Sequence, residues 1–211
     1  MDVASFMSRL RSRRTSRVTF KLDYPADEIA MLLRETARDI VCYWDGSYIE
    51  DNEPYIRQLA GWLTDPKAPG AIIFGVVGNG KTTLMKAVSE LVNNLGDGSP
   101  NRWITTINAM ELARLAKTDE EKMRDLIRKP LLAVDDLGIE QDAIKSFGNI
   151  LNPAVEMLLY RYQYRLPTLL TTNLKPAEIR QRYGDRVADR MNEMFIRIII
   201  KNETYRTRNN G

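Results

Sequence analysis

Histidine is absent from all 211 residues. That one absence excludes histidine-ligated zinc sites, Ser-His-Asp triads and Cys-His dyads. Cysteine is almost absent too. Cys42 stands alone, so no intramolecular disulfide and no cysteine metal cluster can form, as expected for a reducing, intracellular setting. No apolar run reaches the roughly 18 residues that a membrane-spanning helix needs. The arginine-rich N-terminus has no apolar stretch behind it, so no secretory signal is expected. These absences predict a cytoplasmic protein. Net charge is only +3, which by itself predicts no partner. Its distribution is uneven, because "SRLRSRRTSR" packs five arginines into ten residues. That stretch reads as a solvated tail or as a basic arm that touches phosphates.

What is present is an ordinary globular composition, 44% hydrophobic and 28% charged, on a chain long enough for one domain with an extension. "PADEIAMLLRETARDIVCYW" spaces Ile29, Leu32, Leu33, Ala37, Ile40 and Val41 by three and four, with Asp27 and Glu28 in the first turn. That spacing predicts an amphipathic helix. "DGSYIEDNE" reads as a loop, "PYIRQLAGWL" as a short helix opened by Pro54, and "TDPKAPG" as a connector.

After Gly70 the pattern alternates. "AIIFGV", "RWITTIN", "LLAVDD", "TLLTTN" and "FIRIIIK" read as strands, each followed or preceded by a helical segment. Asn108 with Glu111, and Thr118 with Glu121, have capping-box spacing. Asn152 caps a helix that Pro153 opens, and Gly184 closes another. Tyr160, Tyr162 and Tyr164 alternate along one helix, so no single aromatic stripe is expected. Leu159, Tyr162 and Leu166 are expected to face the core. Apolar strands separated by helices imply an α/β fold in three layers, a five-stranded parallel sheet with helices on both faces.

Residues Gly75 to Thr82 fit G-x-x-x-x-G-K-[ST] at every defined position. Gly75, Gly78 and Gly80 let the backbone curl so that N–H groups point at phosphate oxygens. Asn79 and Thr83 belong to the same stretch. Lys81 supplies a cation for the β- and γ-phosphates, and the Thr82 hydroxyl a ligand for Mg²⁺. The competing reading is a chance match in a tight turn. An apolar strand just before it and an amphipathic helix just after it argue against that. "LLAVDD" supplies the second element: Asp135 on the magnesium side and Asp136 as polariser of the attacking water. Aspartate is one methylene shorter than the glutamate many such enzymes carry, so slow or partner-stimulated hydrolysis is expected. "LLTTN" ends a third strand at the same sheet edge, where Asn173 could orient water or sense the γ-phosphate.

The order of "GVVGNGKTT", "NAMELARLAK", "LLAVDDLG", "RYQYRLPTLLTTNL", "YGDRVADRM" and "IKNETYR" resembles the AAA+ ATPases of the DnaC/DnaI helicase-loader group, and equally the IstB-type transposition helpers. The likeness runs from about residue 50 to residue 208. It implies an AAA+ sheet in which one strand is inserted between those bearing the phosphate loop and the acidic pair. It implies a homo-oligomeric ring or spiral with ATP at the subunit boundaries. It also implies an arginine finger for the neighbouring subunit at Arg190, with Arg186 nearby. The competing reading of those arginines is an exposed face paired with Asp185 and Asp189. No C-terminal lid domain is expected. The division implied is residues 1–49, a basic tail plus a short helical region, and residues 50–211, the ATPase domain. The resemblance further implies DNA, single-stranded by preference, as a track, and a replicative helicase as partner. The alternative partner is a transposase. A stand-alone P-loop kinase or nucleotide-binding regulator has no need of "TTN" or "GDRVADR".

Overall fold

A computed structural model describes residues 2–5, 7, 20–41, 47–96, 102–140, 144–146 and 149–205. The basic stretch at 8–17 and Cys42 lie outside these residues.

The strands are β1 (Gly70–Phe74), β2 (Ile104–Asn108), β3 (Leu131–Leu137), β4 (Ile144–Ser146), β5 (Asn149–Leu151), β6 (Thr168–Thr172) and β7 (Phe195–Ile199). Five of them form one sheet in the order β2-β3-β6-β1-β7, with every neighbouring pair parallel. β6 therefore lies between β1 and β3. β4 and β5 make a separate antiparallel pair, which the sequence pattern did not suggest.

The sheet is buried on both faces, and β1 shows how. Ala71 and Ile73 enter one core, with α1 (Ala26–Ile40), α2 (Ser47–Thr64) and α3 (Lys81–Leu95). Ile72 and Phe74 enter the other, with α4 (Ala109–Thr118), α5 (Glu120–Ile127), α6 (Pro153–Tyr164), α7 (Pro176–Tyr183) and α8 (Asp185–Met194). This is the two-residue period of a strand feeding two helical layers. α1 buries Ile29, Ala30, Leu33 and Ala37, and full burial of a side chain such as Ile29 or Leu33 contributes about 1.5–3 kcal/mol. No helix among the described residues is long and apolar enough to cross a membrane.

Several local expectations change. The loop predicted before Pro54 is helix, because α2 starts at Ser47 and Pro54 lies inside it. Tertiary bonds outweigh the local signal there: Asn202 Nδ2 donates to the Asp51 carbonyl at 3.1 Å, and buried Asn52 donates to Tyr205 Oη at 3.0 Å. β1 stops at Phe74, and Val76 and Val77 are exposed.

Both capping boxes are incomplete. Asn108 Oδ1 accepts from the Met110 N–H at 2.8 Å, but Glu111 turns to Arg114. α5 is capped by Asp119, whose Oδ1 accepts from the Lys122 N–H at 2.9 Å. Thr118, the cap expected there, instead donates to the Arg114 carbonyl. The Asn152 cap and Pro153 stand as predicted.

The buried face of α6 is Ala154, Met157, Leu158 and Arg161. Leu159, Tyr162 and Leu166 are only partly buried. Tyr160 and Tyr164, one turn apart, pair with ring centroids 4.5 Å apart.

Candidate functional site

β1, β3 and β6 all end at one edge of the sheet, the edge where a parallel α/β sheet opens its crevice. From β1 the chain enters the glycine loop. Gly78 and Gly80 have φ of 81° and 94°, a left-handed conformation that glycine adopts without strain. A Cβ on Gly75 would lie 2.2 Å from Asn79 Nδ2, so glycine there makes room for the Asn79 side chain. Asn79 is fully buried. Its Nδ2 donates to the Ile200 carbonyl at 3.4 Å, and its Oδ1 accepts from Lys81 Nζ at 3.3 Å. Asn79 thus braces the loop from within. Lys81 Nζ also donates to the Val76 carbonyl at 2.7 Å. α3 begins at Lys81, so its positive end faces the cavity that the loop encloses.

That cavity has a volume of about 350 Å³ and is lined by Val77, Gly78, Gly80, Lys81, Thr82 and Thr83 of the loop, with Asp136 and Asn173 opposite. Gly75, Asn79 and Asp135 stand behind its wall.

The acidic pair occupies an irregularity in β3. Val134 pairs with Leu170 and Leu137 with Thr172, so β3 spends one residue more than β6 across the pair. This is a β-bulge, a device that re-aims side chains beside active sites. Asp136 takes φ 54° inside it.

Thr171, fully buried, organises the corner. Its Oγ1 donates to Asp135 Oδ1 at 2.5 Å and accepts from the Asp136 N–H at 2.8 Å. The Thr82 hydroxyl donates to the same Asp135 oxygen at 3.1 Å. Sequence reasoning picked Asn173 from this strand end and passed over Thr171. The signal was a threonine near the end of a buried strand that carries three, Thr168, Thr171 and Thr172.

Thr82 and Asp135 offer hard oxygen donors side by side, which suits Mg²⁺. No cluster of three or more His, Cys, Asp or Glu that could hold a metal occurs among the described residues.

One turn beyond the acidic pair, Glu140 is buried, accepting from the Gly138 N–H at 2.7 Å and from the Tyr183 hydroxyl. Burial and the Glu140 charge push the Tyr183 hydroxyl far up from its ordinary pKa. Arg182 Nε lies 3.5 Å from the same carboxylate. This knot joins the exit of β3 to the end of α7.

Arg186 and Arg190 lie elsewhere, lining a cavity of about 760 Å³ formed by α6 and α8. They do not pair with Asp185 and Asp189, which Arg180 takes at 2.5 and 2.6 Å. The Arg190 guanidinium sits 5.1 Å from the centre of the Tyr162 ring, a cation–π distance. The Tyr162 hydroxyl donates to Glu193 at 2.6 Å, and that hydrogen bond raises its pKa.

Five parallel strands in this order, with a glycine loop after the first and an acid-bearing bulge at the third, make a three-layer α/β fold of the P-loop type. Solved structures share the fold. A DnaC helicase loader matches with a TM-score of 0.55 at 20% identity, over 72% of this chain and 90% of that one. DnaI matches with a TM-score of 0.55 at 21% identity, over 72% and 82%. AMPPCP-bound DnaA from Aquifex aeolicus matches with 0.52 at 18%, over 74% of this chain and 49% of that one. No protein-family model and no curated protein matches the sequence.

Proposed function

We propose that the protein is an ATP-dependent DNA replication protein, a helicase loader of the DnaC type. It binds ATP and hydrolyses it slowly where subunits meet. The observation that carries this reading is the convergence of Lys81, Thr82, Asp136 and Asn173 on one cavity, with Asp135 tied to Thr82 and Thr171 behind it. Residues 1–49 would face the partner, and residues 50–211 would handle nucleotide.

In this reading the loop N–H groups and Lys81 neutralise the phosphates, while Thr82 and Asp135 would hold Mg²⁺. When bound, Mg²⁺ offsets the charge that builds on the β- and γ-phosphates. Asp136 accepts a proton from the attacking water, which Asn173 orients. Asp136 is held by its bulge, so its short side chain has little freedom to follow the water, and slow turnover results. Arg190, aided by Arg186, lies outside this cavity and serves the nucleotide of a neighbouring copy.

Single-stranded DNA is the proposed track. A DnaA of the same fold has been solved with AMPPCP and single-stranded DNA, and a helicase loader and DnaI share the fold.

Lys81→Ala should lower ATP affinity by about tenfold or more, measured with a fluorescent analogue. Wild-type affinity in that variant would end the nucleotide-site reading. Arg190→Ala should bind ATP normally but lose turnover in the assembled state. Affinity capture separates the partners, since a hexameric helicase supports the loader and a transposase supports the IstB-type alternative.

A further inference from the structure

We propose that Arg165 is a third phosphate-contacting arginine, acting with Arg186 and Arg190 on the nucleotide of a second copy of this chain. This rests on the trans-acting reading of Arg190 given above.

Three observations carry it. First, Arg165 lines the same cavity as Arg186 and Arg190, although it comes from the end of α6 rather than from α8. Second, positive charge in that cavity exceeds negative charge among the described residues. Arg34, Arg57, Arg114, Arg124, Arg180 and Arg182 each hold a carboxylate. Arg165, Arg186 and Arg190 hold none among the described residues. The acids of α8 are engaged elsewhere: Asp185 and Asp189 by Arg180, and Glu193 by the Tyr162 hydroxyl. Only Glu156 lines the cavity against three guanidiniums. Such an excess of fixed cations is a receptor for a polyanion.

Third, Arg165 is conformationally costly. It closes α6 at φ 54°, ψ 37°, the left-handed position where helices usually place glycine. Stability alone would favour glycine here, so the arginine is retained at a cost that a functional contact explains.

The test uses Arg165→Gly, which relieves the backbone while deleting the guanidinium. The melting temperature should stay the same or rise by about 1–3 °C. Turnover in the assembled state should fall about tenfold or more. Mixing Arg165→Gly with Lys81→Ala subunits should then restore turnover, because each supplies what the other lacks across a subunit boundary. Wild-type turnover in Arg165→Gly would overturn the proposal. So would a loss that mixing fails to repair, since that marks a role within one chain. Arg190→Ala, treated in the same way, separates the two ideas. If it loses turnover and is repaired while Arg165→Gly is silent, only the third arginine is wrong. If Arg190→Ala turns over like wild type, the underlying reading falls.

Discussion

Arg161 interrupts the apolar face of α6, yet it is completely buried. Its guanidinium holds no carboxylate among the described residues. It donates instead to Thr168 Oγ1 at 2.7 Å and to the carbonyls of Ile127, Lys129 and Pro167 at 2.9, 2.8 and 2.5 Å. The turns leading into β3 and β6 are thereby stapled to α6. Burial lowers its pKa to about 9, so it stays charged at neutral pH. Arg161→Met keeps the length but removes the donor to the Ile127 and Lys129 carbonyls, while Pro167 keeps only the Leu132 N–H. The expected loss is about 3–5 kcal/mol, read from the urea midpoint, and an unchanged midpoint would refute the staple. Local pattern could not show this. An arginine between Leu158 and Tyr162 reads as a surface residue until the turns at Pro130 and Pro167 bring their carbonyls around it. Lys81, Thr82 and Asp135 were legible because their chemistry is written in short motifs. Thr171 and Glu140 were not, because the partners that define them lie 36 and 43 positions away.

Elements followed the sequence where one face and one cap decide them, and departed where tertiary contacts intervene. The five sheet strands were legible as apolar runs bounded by turn residues. α2 was legible only from Pro54 on, because its first two turns are held by distant side chains. The contact between α1 and α2 is more local. Arg34 grips Glu53 through two hydrogen bonds of 2.9 and 2.6 Å. That grip, with help from Arg57, holds the Glu53 carboxyl below its ordinary pKa. A depressed carboxylate pKa contributes stability that is present above the unfolded value, about 4.3, and is lost as pH falls through the folded one. Both side chains are partly exposed, so the contribution is modest, about 0.5–1 kcal/mol. Glu53→Gln should cost about that much at pH 7 and flatten the acid limb of stability below about pH 4. Urea titrations between pH 3 and 7 measure both. An acid limb identical to wild type would mean that the pair contributes nothing.

On the scale of the molecule, the segment after β7 connects parts that lie far apart in sequence. Ile200 N–H donates to the Phe74 carbonyl at 2.9 Å, and Tyr205 N–H to the Gly78 carbonyl at 3.0 Å. The chain therefore runs directly behind the glycine loop. Its far end is anchored in α2: the Tyr205 hydroxyl donates to Asp51 at 3.2 Å and accepts from Asn52 and Asn202 at 3.0 and 3.1 Å. A loop built on two left-handed glycines has little intrinsic preference for one shape, so what lies behind it sets how well it is preformed. Preformation lowers the ordering cost of binding. Tyr205→Phe retains the ring and the backbone bond to Gly78 but removes the anchor in α2. It should cost about 1–2 kcal/mol of stability and weaken ATP binding severalfold, with Lys81 untouched.

The same residue has a pH signature. Burial, with the Asp51 charge, raises the Tyr205 hydroxyl to about 12, above its unfolded value of about 10. Its stabilisation is thus complete below about pH 10 and is lost as pH rises through 12, a limb that Tyr205→Phe should diminish. Thermal melts from pH 7 to 11 and analogue titrations at pH 7 test the two halves together. If stability drops while affinity holds, the segment staples the fold but does not set the loop.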